Sequence, residues 1–380
     1  MDKKKNKSPI GLIAAGSLLY CLPLTAAILP EDRADLLYHS YSGGGVTIDG
    51  PSVLARKQIG SDFSVAGKYY VDTISSASID VDMIAGATRY QEERTETNLS
   101  LDYLNGKSIL STGVTNSDEN DYKALTFNFG ISQSVFGDLT TIAMSYARGR
   151  DEISATGDPT VEETADRQSY HLSVNQILTK RLMMDLSYDL ITDEGYLQNP
   201  YRKIRVTSGT GFSLRDEVYP NTRTSHAVAT QALYYVAPST AIYAQYRYFT
   251  DTWGIDAHTY KLGYTFPYRN DWLIDLSYRF HSQTKAEFYS DIFPENDLQT
   301  FMARDKELST FSDHTLGLSV SYNFKKRLGF IDRSSLTLSY HYMRFEYDDF
   351  SDATRGVAVE DESLYELSAN VIQFYLSIWY

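Results

Sequence analysis

The chain has 380 residues, including 31 tyrosines and 17 phenylalanines, yet only 42% of its residues are hydrophobic and its mean hydropathy is −0.34. After the first 30 residues no apolar run approaches the roughly 20 residues that a membrane-spanning helix needs, which excludes a polytopic helical membrane protein. The formal net charge of −14 argues against a nucleic-acid partner. A transmembrane β-barrel would reconcile these values, because its lipid-facing residues alternate with polar ones and its aromatic residues gather at the two interfaces.

The first segment has the form of a secretory signal peptide. Lysines within residues 3–7 precede an apolar stretch over 10–22, and small residues follow at 25–27. We therefore predict a signal peptide over residues 1–27 and a mature domain over 28–380; Pro23 and the short apolar stretch argue against the alternative, an N-terminal anchor helix. Because Cys21 lies in the leader, the mature chain would have no disulfide and no thiolate metal ligand.

The rest of the chain alternates between apolar and polar residues. From Leu36 onward about sixteen stretches show this period of two, as in 182–190, 272–281 and 316–324, and none shows a convincing helical pattern. Side chains on a strand point to opposite faces in turn, so each strand would have one apolar and one polar face. The polar faces carry Gly, Ser, Asn and charged residues, which is not how two packed sheets bury a core.

The predicted connections fall into two classes that alternate along the chain. Tight turns on one side and variable, often long loops on the other are typical of an outer-membrane barrel. We therefore predict a closed antiparallel transmembrane barrel of about 16 strands, with 14 to 18 as the range, and with periplasmic turns, extracellular loops and both termini periplasmic. The turns are at 60–61, 105–106, 136–138, 179–180, 237–239, 269–271 and 325–333, and the loops are at 43–44, 74–92, 116–121, 154–166, 194–223, 253–254, 287–308 and 349–363.

The C-terminal strand supports a closed barrel. Apolar residues occupy every second position from Ile372 to the terminal Tyr380. A last strand that ends in an aromatic residue resembles the signal read by the barrel assembly machinery, which we expect to be a partner. Left as a free edge, such a strand would promote aggregation, and pairing with the first strand removes that edge. Because strands begin within ten residues of the predicted cleavage site, we expect no plug domain.

The first hairpins carry a family resemblance. The segments YHSYSGGGV (38–46), PSVLARK (51–57) and YVDTISSAS (70–78) resemble a bacterial outer-membrane barrel family that is known only as a domain of unknown function. The similarity is densest over 36–104 and extends to the C-terminus. Members of that family accompany a small lipoprotein, a thioredoxin-like protein and a flavin transferase. The resemblance thus implies an envelope redox setting and a small lipoprotein or redox partner.

One short motif bears on that redox setting. Residues 82–88 (DMIAGAT) resemble the sequence on which flavin transferases attach FMN to a threonine, but Ala85 stands where Ser or Thr is usual. Thr88 would also lie in an extracellular loop, away from a periplasmic enzyme. We therefore expect no cofactor. No Cys-x-x-Cys-His occurs in residues 28–380, so a haem would have to belong to a partner.

A barrel of sixteen strands is wide enough for an aqueous lumen, and the polar face of its strands would line it. Charged residues on neighbouring strands could set up a transverse field that selects solutes; the alternative is a wall network whose charges neutralise one another. The predicted lumen-lining residues are Asp102, His171, Asp185, Asp189, Arg247, Lys261, Asp275, Arg279, His281 and His341.

The sequence contains little that supports catalysis or metal binding. The mature histidines are scattered over different strands, so no catalytic set with a nucleophile and a carboxylate can be assigned, and we predict that the protein is not an enzyme. Acidic loop segments at 118–121, 151–152, 162–163 and 348–349 could hold Ca²⁺ or bridge lipopolysaccharide, but none matches an EF-hand loop. We predict no metal site and interpret these segments as solvated loop charge.

Two functional hypotheses remain, besides the disfavoured membrane-embedded hydrolase. The leading one is a passive channel for small solutes, surrounded by outer-membrane lipid and lipopolysaccharide. The alternative is a non-enzymatic assembly or sheath barrel, whose lumen holds a periplasmic lipoprotein or redox partner.

Overall fold

The computed structural model describes residues 28–75, 91–208, 211–269, 271–324, 329–355 and 357–380. The predicted signal peptide (1–27) and the motif at 82–88 lie outside these ranges, as does most of the predicted loop at 74–92.

Sixteen antiparallel strands of the described residues close into a single barrel. The predicted strand number and closure are confirmed: β1 pairs with β2 on one side and with β18 on the other, where Arg33 lies opposite Trp379. The barrel strands are β1 (Arg33–Gly43), β2 (Val46–Ile59), β3 (Phe63–Ser75), β4 (Gln91–Asn105), β5 (Ser108–Asp118), β6 (Tyr122–Val135), β7 (Thr140–Ala155), β8 (Asp158–Ile177), β9 (Leu182–Gly195), β12 (Thr222–Ala237), β13 (Thr240–Asp251), β14 (Asp256–Tyr268), β15 (Trp272–Gln283), β16 (Phe311–Phe324), β17 (Arg333–Ser351) and β18 (Leu364–Trp379).

The remaining two strands lie outside the barrel. β10 (Lys203–Ser208) and β11 (Gly211–Asp216) form a separate hairpin within the connection between β9 and β12, so that β9 pairs directly with β12. Three short 3-10 helices, Lys306–Leu308, Ala353–Arg355 and Val359–Asp361, complete the elements. The described residues include no helix that is long and apolar enough to cross a membrane.

Where the connections lie within the described residues, they follow the predicted division, with one exception. The segment 154–166 was expected to be a long loop, but β7 runs to Ala155 and β8 starts at Asp158, joined by a tight turn in which Gly157 has a φ of 97°. That prediction was wrong because this hairpin continues the ladder with polar side chains on both faces, as at Glu162 and Glu163. Once both faces are polar, the alternation that reveals a strand disappears while its backbone hydrogen bonds remain.

The outer face of the barrel carries a continuous apolar band. Leu99 on β4, Phe127 on β6 and Leu316 on β16 are each more than half exposed, as are many of their neighbours. On β16 the outward positions from His314 to Phe324 cover about 34 Å of strand at ~3.4 Å per residue, or about 25 Å of height at a tilt of ~40°. This height matches the hydrocarbon thickness that outer-membrane barrels span.

Aromatic residues border the band at both ends, as the tyrosine excess suggested. Near the tight turns, the rings of Phe63 and Tyr103 stack at 4.8 Å, and the ring centroids of Trp272 and Tyr322 lie 4.8 Å apart. Aromatic rings at this depth keep an apolar body in the band and a polar tip in the interface.

Near the long loops, the border is made of repeated tyrosine–histidine pairs. Three hydrogen bonds join a tyrosine hydroxyl to the Nδ1 of a histidine on the neighbouring strand, at 2.7 to 2.9 Å. In every case the histidine sits diagonally, two positions beyond the residue opposite the tyrosine. The pairs are Tyr188 with His226, Tyr246 with His258, and Tyr278 with His314.

The apolar band predicts a strong difference between neighbouring positions of one strand. Leu99→Arg places a charge against lipid and should lower the free energy of unfolding by about 2–4 kcal/mol, while Ser100→Arg, which faces the interior, should lower it by less than about 1 kcal/mol. Urea titration of the protein in phospholipid vesicles measures both. Equal losses at the two positions would contradict the assignment of faces.

Candidate functional site

The ten predicted lumen-lining residues all lie on the face opposite the apolar band, and therefore point into the barrel. Asp275, for example, is flanked on β15 by Ile274 and Leu276, and Leu276 is exposed on the outside. The inward positions are Asp102 on β4, His171 on β8, Asp185 and Asp189 on β9, Arg247 on β13, Lys261 on β14, Asp275, Arg279 and His281 on β15, and His341 on β17. Their role in transport remains a prediction.

The barrel interior holds solvent space. His171 and Asp189 form a hydrogen-bonded pair at 2.6 Å on β8 and β9, and their side chains keep 38% and 36% of their accessible area although they point inward. Arg279 on β15, four strands from β9 around the barrel, keeps 33%. A packed interior would bury such side chains, so at this depth the lumen is not filled by the described residues.

Six of the ten residues form one group on the wall from β13 to β17. Lys261 on β14 lies directly opposite Arg279 on β15, and Arg247 on β13 lies opposite Thr259, which in turn is opposite His281. The charge of Lys261 also reaches His341 on β17. The sequence predicted the adjacency of the β13, β14 and β15 charges, and the structure has the same arrangement.

Part of this wall is neutralised internally. Arg279 donates from Nη1 to Oδ1 of Asp313 at 2.7 Å. Asp275 accepts hydrogen bonds from the hydroxyls of Tyr243 at 3.1 Å and Thr265 at 2.5 Å. The Arg279–Asp313 pair fits the interpretation of a wall network whose charges neutralise one another, whereas the donors of Asp275 are neutral hydroxyls.

Arg247 and Lys261 differ from that network. Neither forms an ion pair with any described residue. The Arg247 guanidinium lies 5.4 Å from the ring centroid of Phe249, and the Lys261 ammonium lies 5.7 Å from that of Tyr243. The wall therefore presents two cations to the lumen without a carboxylate partner.

The other candidates do not join this group. Asp102 lies near the tight turns, where it accepts from Arg56 at 2.5 Å and from Ser111 at 2.6 Å, so it belongs to a part-buried wall pair. Asp185 precedes Asp189 by two inward positions on β9, with Ser187 between them. The two β9 carboxylates lie two strands away from Arg247, whose charge interacts with that of Asp189.

Four of the long loops fold inward over the mouth and form a cap, which we define as residues 196–208, 211–221, 252–255, 284–310, 352–355 and 357–363. Its aromatic core includes Tyr219, Trp253 and Phe288, whose rings meet at 5.2–5.5 Å. This core packs on inward residues at the upper ends of the strands, such as Phe249 and Phe345. The positions of these loops were predicted from the sequence, but their packing was not, because the apolar residues within the loops follow no regular period.

Buried ion pairs hold the cap together. Arg205 on β10 is fully buried; its Nη1 contacts both carboxylate oxygens of Glu362 at 2.7 Å, and its Nη2 contacts Asp291 at 2.5 Å. Arg304 donates to the same Asp291 at 2.8 Å and lies 4.4 Å from the ring of Phe350. One carboxylate, Asp291, thus joins the β10–β11 hairpin to the loop before β16, and Glu362 adds the loop before β18.

The cap also reaches the opposite rim of the barrel. The hydroxyl of Tyr201 donates to Asp121 at 2.9 Å, and it accepts from the backbone amide of Thr156. The cap therefore bridges the mouth rather than lying along one side of it.

Burial against the cap core raises the pKa of Tyr219 well above its ordinary value, and the neighbouring Glu217 carboxylate acts in the same direction.

Two of the four acidic segments contain a buried carboxylate, contrary to the sequence interpretation, whereas Glu162 and Glu163 are exposed. Asp121 and Asp151 are buried, the first beneath Tyr201 and the second bonded to Tyr122. Both sit where loops and strand ends fold together under the cap, so hydroxyl donors replace water.

One carboxylate cluster of the described residues has the spacing of metal ligands. Glu92, Glu119 and Asp121 each bring one oxygen to within 4.8 Å of the others. Burial raises the pKa of Glu119 to about 7, with the Asp121 charge adding to the rise and Arg94, 3.5 Å away, opposing it. Three carboxylates alone make fewer than the six to eight oxygens that Ca²⁺ takes, and no metal is assigned to the cluster.

The histidines do not assemble a hydrolase site. Within the described residues, no histidine is hydrogen-bonded to both a carboxylate and a serine. His39 contacts Asp72 at 2.7 Å and Tyr70 at 3.2 Å, whereas His171 contacts Asp189. The three outward histidines face the apolar band with their tyrosine partners.

One protein-family model matches most of the chain. A family model described as "Protein of unknown function (DUF3570)" matches residues 82–346, more than half of the sequence. The chain belongs to the DUF3570 family. The three opening segments at 38–46, 51–57 and 70–78 precede the matched range of the DUF3570 model, so they do not contribute to the match. No curated protein matches the chain.

Solved structures similar to this DUF3570 chain are barrels with low sequence identity. A bacterial polysaccharide outer membrane secretin has 8% identity and a TM-score of 0.49, over 92% of this chain and 99% of that one. The outer membrane protein OpdK from Pseudomonas aeruginosa has 9% identity and a TM-score of 0.43, over 91% and 99%. OmpT of Vibrio cholerae has 10% identity and a TM-score of 0.42, over 93% and 100%.

The buried ion pairs of the cap predict a local loss of order in Arg205→Ala. Removing Arg205 leaves Glu362 buried without its cation and Asp291 with Arg304 alone, and breaking a buried ion pair in this way typically costs about 3–5 kcal/mol. Hydrogen exchange should accelerate in 284–310 and 352–363 and stay unchanged in the barrel strands. Arg215→Ala, at an exposed position of the same hairpin, is the control and should leave exchange in the cap as it is.

The carboxylate cluster predicts a pH dependence that Glu119 controls. Because the folded pKa of about 7 exceeds the ordinary value of 4.5, the folded state holds the proton more tightly. Its contribution to stability is greatest at low pH and falls as the pH rises from about 4.5 to about 7. Denaturant titrations of the wild type and Glu119→Gln should diverge over that window.

Glu152→Gln removes one exposed carboxylate nearby and serves as the control for loss of charge alone. A stability difference between the wild type and Glu119→Gln that does not change with pH would refute the assignment.

Proposed function

We propose that this protein is a non-enzymatic channel of the bacterial outer membrane that conducts small polar solutes. The observation that carries the proposal is the accessible polar lumen within a closed barrel, seen at His171, Asp189 and Arg279. The apolar band and its aromatic borders support a position in a bilayer. The long capped loops would face outward and the tight turns, together with Arg33 and Trp379, would face the periplasm.

Its mechanism would be passive. Inward carboxylates, guanidinium groups and hydroxyls replace part of the hydration shell of a diffusing solute, so that the solute crosses the apolar layer without losing its polar contacts. The cap narrows the entrance and sets the size limit. Lipopolysaccharide would surround the upper border, and the C-terminal strand would engage the barrel assembly machinery during insertion.

Planar bilayers test the channel directly. The purified full-length mature protein should give discrete conductance steps, and Arg205→Ala, with its loosened cap, should give larger or noisier steps than Arg215→Ala. A barrel that is silent in both variants would overturn the proposal. Co-purification of a stoichiometric second polypeptide would favour the sheath hypothesis, which no contact among the described residues favours.

A further inference from the structure

We propose that the wall from β13 to β17 binds a small oxyanion, a carboxylate or a phosphate, through Arg247 and Lys261. The inference rests on the proposed function in that it names the class of solute for the lumen, but the binding site stands on its own geometry.

The placement of charge on this wall favours an anion. Lys261 and Arg279 are directly opposite each other on adjacent strands, an arrangement that is destabilising for two like charges. Arg279 is compensated by Asp313, whereas Lys261 has no ion pair in the described chain. Arg247 adds a further cation, whose charge interacts with the Asp189 carboxylate on β9 and with Arg279. An anion in the lumen would relieve this repulsion.

The same wall has little to offer a cation. Asp275 is occupied by the hydroxyls of Tyr243 and Thr265. Asp313 is almost fully buried and receives both Arg279 and the hydroxyl of Thr315. These carboxylates thus already have donors, whereas Arg247 and Lys261 have no acceptor among the described residues.

Two flat rings lie in the row next to these cations, on the side away from the cap. The row runs in register through Tyr243, Gly263, Ser277, Gly317 and His341, on five successive strands. The Tyr243 ring lies over Gly263, where a Cβ would come within 2.0 Å of Cζ, and the His341 ring lies over Gly317, where a Cβ would come within 2.8 Å of Nδ1. The glycines thus leave room for the two rings, and Ser277 lies between them.

Lys261 and Arg279 occupy the next row toward the cap, above Gly263 and Ser277. The Tyr243 hydroxyl donates to Asp275, which fixes the ring that lies 5.7 Å from the Lys261 ammonium. Arg247 lies on the neighbouring strand, one inward position closer to the cap than the residue opposite Lys261. A small carboxylate or phosphate between these two strands would meet both cations.

Binding can be measured without transport. Titration calorimetry of the detergent-solubilised full-length mature protein with inorganic phosphate, and separately with succinate, tests which oxyanion the site prefers. Arg247→Gln and Lys261→Gln should each weaken binding by about tenfold, because a charge-assisted hydrogen bond is lost. Arg247→Lys and Lys261→Arg keep the charge and should retain most of the affinity, which separates charge loss from misfolding.

Lys68→Gln is the matched control. Lys68 also points into the barrel but lies on β3, where it pairs with Glu96 at 3.2 Å. The Lys68→Gln substitution should therefore leave oxyanion binding unchanged. Failure of both anions to bind the wild type, or equal weakening by Lys68→Gln, would overturn the inference.

Reversal potentials in a KCl gradient separate the inference from the channel proposal. An open channel that prefers anions, with the preference reduced several-fold in Lys261→Gln and kept in Lys68→Gln, supports both. A silent barrel that still binds phosphate or succinate through Arg247 refutes the channel and leaves the site. A conducting barrel without anion preference, whose conductance neither anion blocks, refutes the site and leaves the channel.

Discussion

The pairing of β1 with β18 is the constraint on which the rest of the molecule depends. Within a hydrocarbon layer an unpaired backbone group costs several kcal/mol, so a sheet can occupy that layer only if it has no edge. The register from Arg33–Trp379 to Gly43–Ala369 closes the last edge. Closure in turn separates two solvents: the outside can be apolar along its whole height, and the inside can keep charged side chains in contact with water.

The cap exists because that closed cylinder leaves a wide mouth. Its core is small and aromatic, and it depends on buried ion pairs that bring little net stability, since desolvation offsets much of the attraction. Such pairs do specify geometry, because Arg205 keeps both partners only while Asp291 and Glu362 lie close together. A mouth closed by polar contacts can therefore be well defined and still less stable than the barrel beneath it.

Most of the barrel could be predicted from the sequence, because alternation, turn chemistry and loop length all report on one strand at a time. The inward placement of Arg247, Lys261 and Arg279 followed from the same period. The β10–β11 hairpin, the cap and the burial of Asp121 could not be predicted, since they depend on contacts between residues far apart in the chain, such as Tyr201 with Asp121. The extension of β7 and β8 was missed because both faces of that hairpin are polar.

The outward tyrosine–histidine pairs have a consequence for how the barrel sits. Each pair satisfies two polar groups against one another just where the apolar band ends, and all three lie on the strands from β9 to β16. Together they mark the boundary between water and the apolar layer on that side of the barrel. A vertical shift would move imidazoles into the hydrocarbon or leucines into water, so these pairs limit both the depth of insertion and the tilt of the barrel axis.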